Sequence, residues 1–295
     1  MKILNFGSLN IDKVYRVSHF VRPGETISSQ GYQCFPGGKG LNQSIAVARA
    51  GQKICHAGTV GEDGHFLTEI LQEAGVDTRY VRESGTITGH ALIQVSDAGE
   101  NCIILFNGSN YENEKEFMDA VLQNYEAQDI LMLQNEINGL EYLLARGKEK
   151  GLQILLNPSP MDETLKQMDL SGVSWLMLNE TEGCELTGET EPERITETLL
   201  GRYPDMKIIL TLGGEGALYR ERDMMRRQPC YSVKTVDTTA AGDTFTGYYV
   251  AAMVEGKGPE EALRLAAVAA GLAVSREGAS VSIPQREEVD RILQG

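Results

Sequence analysis

Residues 129–157 read "DILMLQNEINGLEYLLARGKEKGLQILLN": a short apolar run, a stretch with helical spacing, then a second apolar run. Runs that are apolar on both faces and separated by helical periodicity are strands of a parallel sheet joined by covering helices. The same rhythm continues in both directions. Before it come "KILNF" (2–6), "NQSIAVARAG" (42–51), "KICHAGTV" (53–60) and "GHFLTEILQEAG" (64–75); after it come "SWLMLN" (174–179) and "KIILTL" (207–212). The pattern predicts an α/β fold, a doubly wound and mostly parallel sheet sandwiched by helices. At 295 residues, without repeats or linkers, a single domain over 1–295 is expected.

Two stretches break the rhythm. "IDKVYRVSHFVRPGETISSQGYQCF" (11–35) and "GHALIQVSDAGENCIILF" (89–106) read as strand–turn–strand, with turns at Pro23-Gly24 and Asp97-Ala98-Gly99. They predict a small β-sheet lid, formed by about 11–38 and 88–107, over the end of the main sheet where such folds bind ligands. The alternative is an antiparallel edge of the main sheet. Farther on, "GGEGALYRERDMMRRQPCYSV" (213–233) reads as a loop and hairpin, followed by helices over 244–255 and 259–275.

Composition narrows the function. A net charge of −15 with no Lys/Arg run disfavours nucleic acid and anionic membranes as partners. Any anionic substrate must then be held locally, by a helix N-terminus or a cation. The five cysteines are odd in number and widely spaced, against a disulfide framework or structural zinc, and no apolar run is long enough to span a bilayer, so a cytoplasmic protein is expected.

"VDTTAAGDTF" (236–245) places Ala240, Ala241 and Gly242 before Asp243 at a helix entrance. Small residues let backbone N–H groups face outward, and the helix adds its own free N–H groups and dipole. That arrangement can hold a phosphoryl group while Asp243 takes a proton from an attacking hydroxyl. The plainer reading is that Asp243 caps the helix. In "FPGGKGLNQSIAVARAG" (35–51), a P-loop is rejected because Gln33 stands where its first glycine belongs and Gly40 follows the lysine. Gly37 and Gly38 instead permit close approach to a polyol, with Lys39 and Asn42 as polar contacts, or simply make a turn. Dinucleotide, zinc-protease and hydrolase-elbow spacings are all missing. Asn10 and Asp12, alternate residues after the first strand, can bond neighbouring hydroxyls or merely form a turn. Gln134 and Glu136 end one strand, and Asn179 and Glu182 follow another, at the carboxyl edge where α/β sites gather.

Together these residues make the chain resemble the PfkB carbohydrate kinases, and within them the ribokinases. The resemblance spans nearly the whole length through "GSLNID", "RPGET", "GGKGLNQSIAVARAG", "GEDG", "ALIQV", "QNE", "LNPSP", "LNETE", "TLGGEGAL", "VDTTAAGDTF" and "REGASVSIP". It implies transfer of the ATP γ-phosphate to a sugar hydroxyl, most simply ribose; another sugar or a nucleoside is the alternative, and a sensor without turnover a more distant one. It implies that Asn10, Asp12, Gly38, Lys39, Asn42 and Glu136 bind the sugar and that Asp243 is the base beside Ala240, Ala241 and Gly242. It implies further that Asn179 serves phosphate and that Glu182 reaches Mg²⁺ through water. Thr211, Gly213 and Gly216 match the nucleotide loop. Asp237, Thr239, Gly278 and Ser282 match a monovalent-cation loop, usually for K⁺, and the lid is expected to form a homodimer interface. Two departures stand out. Ala240 replaces a glycine common in relatives, a change expected to be harmless, and Phe106-Asn107 alters the pattern beneath the sugar.

Overall fold

The computed structural model describes residues 1–294. The strands in chain order are β1 (Ile3–Phe6), β2 (Asn10–Val17), β3 (Gly31–Gly37), β4 (Cys55–Gly61), β5 (Asp77–Ser84), β6 (Gly89–Ser96), β7 (Asn101–Phe106), β8 (Ile130–Gln134), β9 (Gln153–Asn157), β10 (Val173–Asn179), β11 (Lys207–Thr211), β12 (Ala217–Glu221) and β13 (Met224–Gln228). The helices are α1 (Lys39–Arg49), α2 (His65–Glu73), α3 (Lys115–Leu122), α4 (Leu140–Glu149), α5 (Glu163–Lys166), α6 (Glu180–Thr187), α7 (Pro192–Arg202), α8 (Ala241–Val254), α9 (Pro259–Val274) and α10 (Arg286–Gln294).

The large sheet runs in the order β13-β12-β11-β10-β9-β8-β1-β4-β5. Every pair from β11 to β5 is parallel, and β11, β12 and β13 form an antiparallel margin. Its inner strands β8, β9, β10 and β11 are largely apolar on both faces because each face meets helices. In β8, Ile130, Leu131, Met132 and Leu133 are all buried, and each such side chain contributes about 1.5–3 kcal/mol of burial. Side chains from α1, α2, α8, α9 and α10 pack on one face and those from α3, α4 and α7 on the other. Strand order reverses between β1 and β8, where chains leaving neighbouring strands part and open a crevice.

The small sheet is separate, with order β3-β2-β6-β7. β2/β3 and β6/β7 are the two antiparallel pairs expected from the turns, whereas β2 and β6 join them in parallel, Asn10 opposite Gly89. Hairpin signals are local, so that central pairing had no sequence signature. β5 went unread for a related reason: "DTRYVRES" lies at the sheet edge, half exposed, and lacks the doubly apolar signature.

α1 and α8 pack so tightly that a Cβ on Gly247 would lie 2.3 Å from the Ala46 methyl. This contact brings their N-termini to one place. α8 begins at Ala241, three residues before the expected Thr244, because Ala241 and Gly242 carry no amphipathic signal.

Candidate active site

The entrance to α8 is made by Ala240, whose φ of 59° lies in the left-handed region. An L-residue costs about 1–2 kcal/mol there, so alanine in place of glycine is not conformationally neutral, contrary to the sequence-based expectation. The turn aims the first helical N–H groups outward. Ala241 N–H is taken by the Thr238 carbonyl at 3.2 Å, whereas those of Gly242 and Asp243 donate to no acceptor among the described residues. An added Cβ on Gly242 would meet nothing within 4 Å, so open space lies there.

Asp243 is the third residue of α8 and makes no capping bond. Its Oδ2 accepts from Asn42 Nδ2 and its Oδ1 from Gln43 Nε2, both at 3.0 Å. Burial pushes its carboxyl up to about 6, opposed by Lys39 and by the Gln43 and Asn42 donors. A carboxylate with that affinity is charged at neutral pH yet accepts a proton readily. Asn42 Oδ1 is buried with no donor, an acceptor the protein itself does not satisfy.

The second group gathers at the start of α1. Glu136 accepts from Ser8 Oγ at 2.5 Å, Lys39 N at 3.0 Å and Lys39 Nζ at 2.9 Å. Asn10 Oδ1 accepts from Asn110 Nδ2 at 2.7 Å, and Asn110 Oδ1 accepts from Leu9 N at 2.9 Å, which pins the crossing from β1 to β2. Asp12 presses its carboxyl on Gly37, where a Cβ would lie 2.3 Å away. Burial and then the Glu136 charge push Asp12 up to about 7, against the pull of Lys39. Gly38, with φ 93°, turns the chain into α1.

A cavity of about 230 Å³ adjoins both groups and is lined by Lys39, Asn179, Glu182, Thr211, Gly242 and Asp243, among others. Asn179 and Glu182 form a capping box: Asn179 Oδ1 accepts from Glu182 N at 2.9 Å and Glu182 Oε2 from Asn179 N at 3.0 Å. The other Glu182 oxygen has no protein donor among the described residues. Gly213 and Gly216 shape the turn after β11, and a Cβ on Gly216 would lie 2.0 Å from the Gln228 carbonyl. On the far side of the α8 entrance, Asp237 Oδ1 accepts from Thr239 N and Oγ1, and its Oδ2 from Gly278 N at 3.0 Å. Burial raises this carboxyl, but those bonds outweigh it and hold it below the usual range. The carbonyls of Asp237, Thr239 and Gly278 receive no hydrogen bond among the described residues, which leaves these hard oxygens available as acceptors. Ser282 is buried and donates Oγ to the Ala279 carbonyl at 2.8 Å. Among the described residues no three or more His, Cys, Asp or Glu side chains cluster as a metal site. A divalent ion would thus depend on phosphate oxygens and water, with the open Glu182 oxygen fitting the latter role.

Sequence reasoning found Asn10, Asp12, Lys39, Asn42, Glu136, Asn179, Glu182, Thr211 and Asp243 around this crevice. It missed Ser8, Gln43 and Asn110. Ser8 and Gln43 stood inside quoted motifs, but their partners lie far along the chain and left no local signal.

A family model described as pfkB family carbohydrate kinase matches residues 1–286. The chain belongs to that family. PfkB kinases are phosphotransferases acting on an alcohol, and this chain shares that activity class. Among curated relatives, the ribokinase of Haemophilus influenzae is 36% identical, over 98% of this chain and 97% of its own. The deoxyribokinase of Salmonella typhi is 30% identical over 99% of each. The solved structure of Arabidopsis thaliana ribokinase complexed with ribose and ATP superposes with a TM-score of 0.88 at 32% identity, covering 100% of this chain and 99% of that one.

Proposed function

We propose that this PfkB kinase transfers the γ-phosphate of ATP to ribose, giving ribose 5-phosphate. The observation that carries the reading is the pairing of Asp243 with two free amides, Gly242 and Asp243 N–H, at the mouth of a cavity that also holds Lys39 and Glu182. The ribokinase relatives support ribose as the acceptor.

The sugar rests against Gly38, between Asn10, Asp12, Lys39, Asn42 and Glu136. Asp243 orients its hydroxyl and takes its proton. The free amides meet charge that spreads over the phosphoryl oxygens, which in loose phosphoryl transfer matters more than proton removal. Asn179, Thr211, Gly213 and Gly216 hold the nucleotide. Glu182 would hold Mg²⁺ through water, the ion supplying positive charge against the phosphates, and Asp237, Thr239, Gly278 and Ser282 would hold K⁺. The small sheet acts as a lid that excludes water, so ATP is not hydrolysed while the sugar is awaited.

A homodimer through the lid is supported by β7, an edge strand whose Ile103, Ile104, Leu105 and Phe106 are all exposed. Light scattering should give twice the chain mass, and Ile104→Glu should halve it. The net charge and the lack, among the described residues, of any helix long and apolar enough to cross a membrane support a cytoplasmic protein without nucleic-acid partners.

The test of substrate is ADP release with ribose, deoxyribose, fructose, 2-keto-3-deoxygluconate and adenosine. Ribose should give the highest kcat/KM, and a strong preference for another acceptor overturns the reading.

A further inference from the structure

Behind Asp243 lies a run of polar side chains that the reaction as described does not use. Gln43, Gln134, Asn5, Ser44 and His56 are each no more than 1% exposed. Gln43 Nε2 donates to Asp243, and its Oε1 accepts from Gln134 Nε2 at 2.8 Å. Gln134 Nε2 also donates to Asn5 Oδ1 at 3.0 Å, while Asn5 Nδ2 donates to the Gly40 carbonyl at 2.8 Å and to Ser44 Oγ at 2.9 Å. Ser44 Oγ lies 2.8 Å from His56 Nδ1. Burial pushes His56 down to about 4, so its ring is neutral and Nδ1 can accept the Ser44 proton.

The polarity of this chain is forced. An ionised carboxylate only accepts, so Gln43 must turn its amino group to Asp243 and its oxygen to Gln134. Reversing Gln43 would set its oxygen against the carboxylate and its amino group against that of Gln134, losing two bonds in a fully buried site. Gln134 cannot yield easily, because its amino group is also committed to Asn5 on β1. We propose that Gln43, anchored by Gln134 and Asn5, is a positioning residue that fixes the direction of the Asp243 carboxylate and keeps it charged. Asn42, the other donor to Asp243, stands among the sugar contacts, and its amide is open to competition from an incoming hydroxyl. Gln43 is fully buried and remains. Gln134 ends β8, two residues before Glu136, so the same anchor ties the base to the strand whose following turn carries the proposed sugar-binding acid.

The role rests on Asp243 as the base, but it can be read without turnover. In protein carrying ¹³C-labelled aspartate carboxyls, with the Asp243 signal assigned by its loss in Asp243→Asn, the midpoint of Asp243 is followed against pH. Gln43→Met keeps the volume and removes the donor; it should raise the midpoint by about one pH unit, the worth of one hydrogen bond to a buried charge. Lys39, Glu136 and Asp12 are the charged groups that also face Asp243, and both variants leave them in place. Gln134→Met should raise the midpoint by less, in the same direction. With ribose and ATP, the acid limb of kcat should move up in step. At neutral pH kcat should fall about tenfold with KM for ATP little changed, as expected of a misdirected base. An unchanged midpoint in folded Gln43→Met overturns the proposal; if that variant does not fold, an unchanged midpoint in Gln134→Met does so. Absence of phosphoryl transfer by the unsubstituted chain would instead count against the kinase reading and leave the titration interpretable.

Discussion

Two helix entrances face each other across the crevice, and they are finished in opposite ways. Both follow a residue of positive φ, Gly38 before α1 and Ala240 before α8. At α1 the protein consumes its own donors: Lys39 N–H goes to Glu136, Gly40 N–H to Ser8 Oγ and Leu41 N–H to the Ser8 carbonyl. At α8 the amides of Gly242 and Asp243 stay open. A helix N-terminus attracts anions only where its N–H groups are free. The glycine-rich stretch that looks most like a phosphate loop therefore has its donors consumed, and the less conspicuous one keeps its amides open.

The contrast can be broken most severely at the base. Asp243→Asn should lower kcat about 10³-fold, within the usual range for general-base loss, with the KM for sugar little changed in steady-state assays. Unchanged turnover would remove Asp243 from that role. The same variant should melt no lower at pH 8, because it removes a buried charge. The sign follows from Asp243 lying above its unfolded value of 3.8: its contribution to stability is full below that value and is lost as pH rises through about 6.

Deleting one open amide comes next. Gly242→Pro fits the first turn of α8 but has no N–H. It should lower kcat about 10²-fold, the scale of one oxyanion-type donor, with the fold intact by circular dichroism. A full rate would mean that phosphate sits elsewhere. Acidification tests the same carboxylate more gently. kcat should be flat above pH 7 and fall about tenfold per unit well below pH 6 as Asp243 takes up its proton; a flat profile to pH 5 contradicts this.

Glycine-to-alanine changes should then separate the entrances by their stability effects. A Cβ on Gly40 would lie 2.3 Å from Ser8 N, whereas Gly242 has room. Gly40→Ala should cost about 2 kcal/mol or more in denaturant melts, and Gly242→Ala little. The smallest effect is expected from Ala240→Gly, which relieves the left-handed strain and should stabilise by up to about 1 kcal/mol.

The parts that were legible in sequence follow from this physics. β1, β8, β9, β10 and β11 announced themselves because a strand covered on both faces must be mostly apolar. Asn10, Glu136, Asn179 and Asp243 were legible because they stand at strand ends or a helix entrance, within compact motifs. Gln43 was not, since the carboxylate it holds lies 200 residues away and a buried glutamine inside a helical pattern looks like any other. The parallel contact of β2 with β6 was equally silent, because it joins segments separated by four elements of the main body, α1, β4, α2 and β5. The start of α8 was misplaced for the reason that makes it functional: residues stripped of side chains to expose their backbone offer no pattern to read.

β1 passes into β2 through Gly7, Ser8 and Leu9 alone, so a strand of the large sheet continues directly into the small one. Asn10 and Asp12 stand just past that joint, and Ser8, within it, grips both Glu136 and Gly40. Any swing of the small sheet would pivot on those residues and carry Asn10 and Asp12, the two proposed sugar contacts, on its short arm. If Asp12 bonds the sugar as proposed, a sugar lacking that hydroxyl would lose mechanical leverage as well as a bond, and its penalty should appear in turnover more than in occupancy.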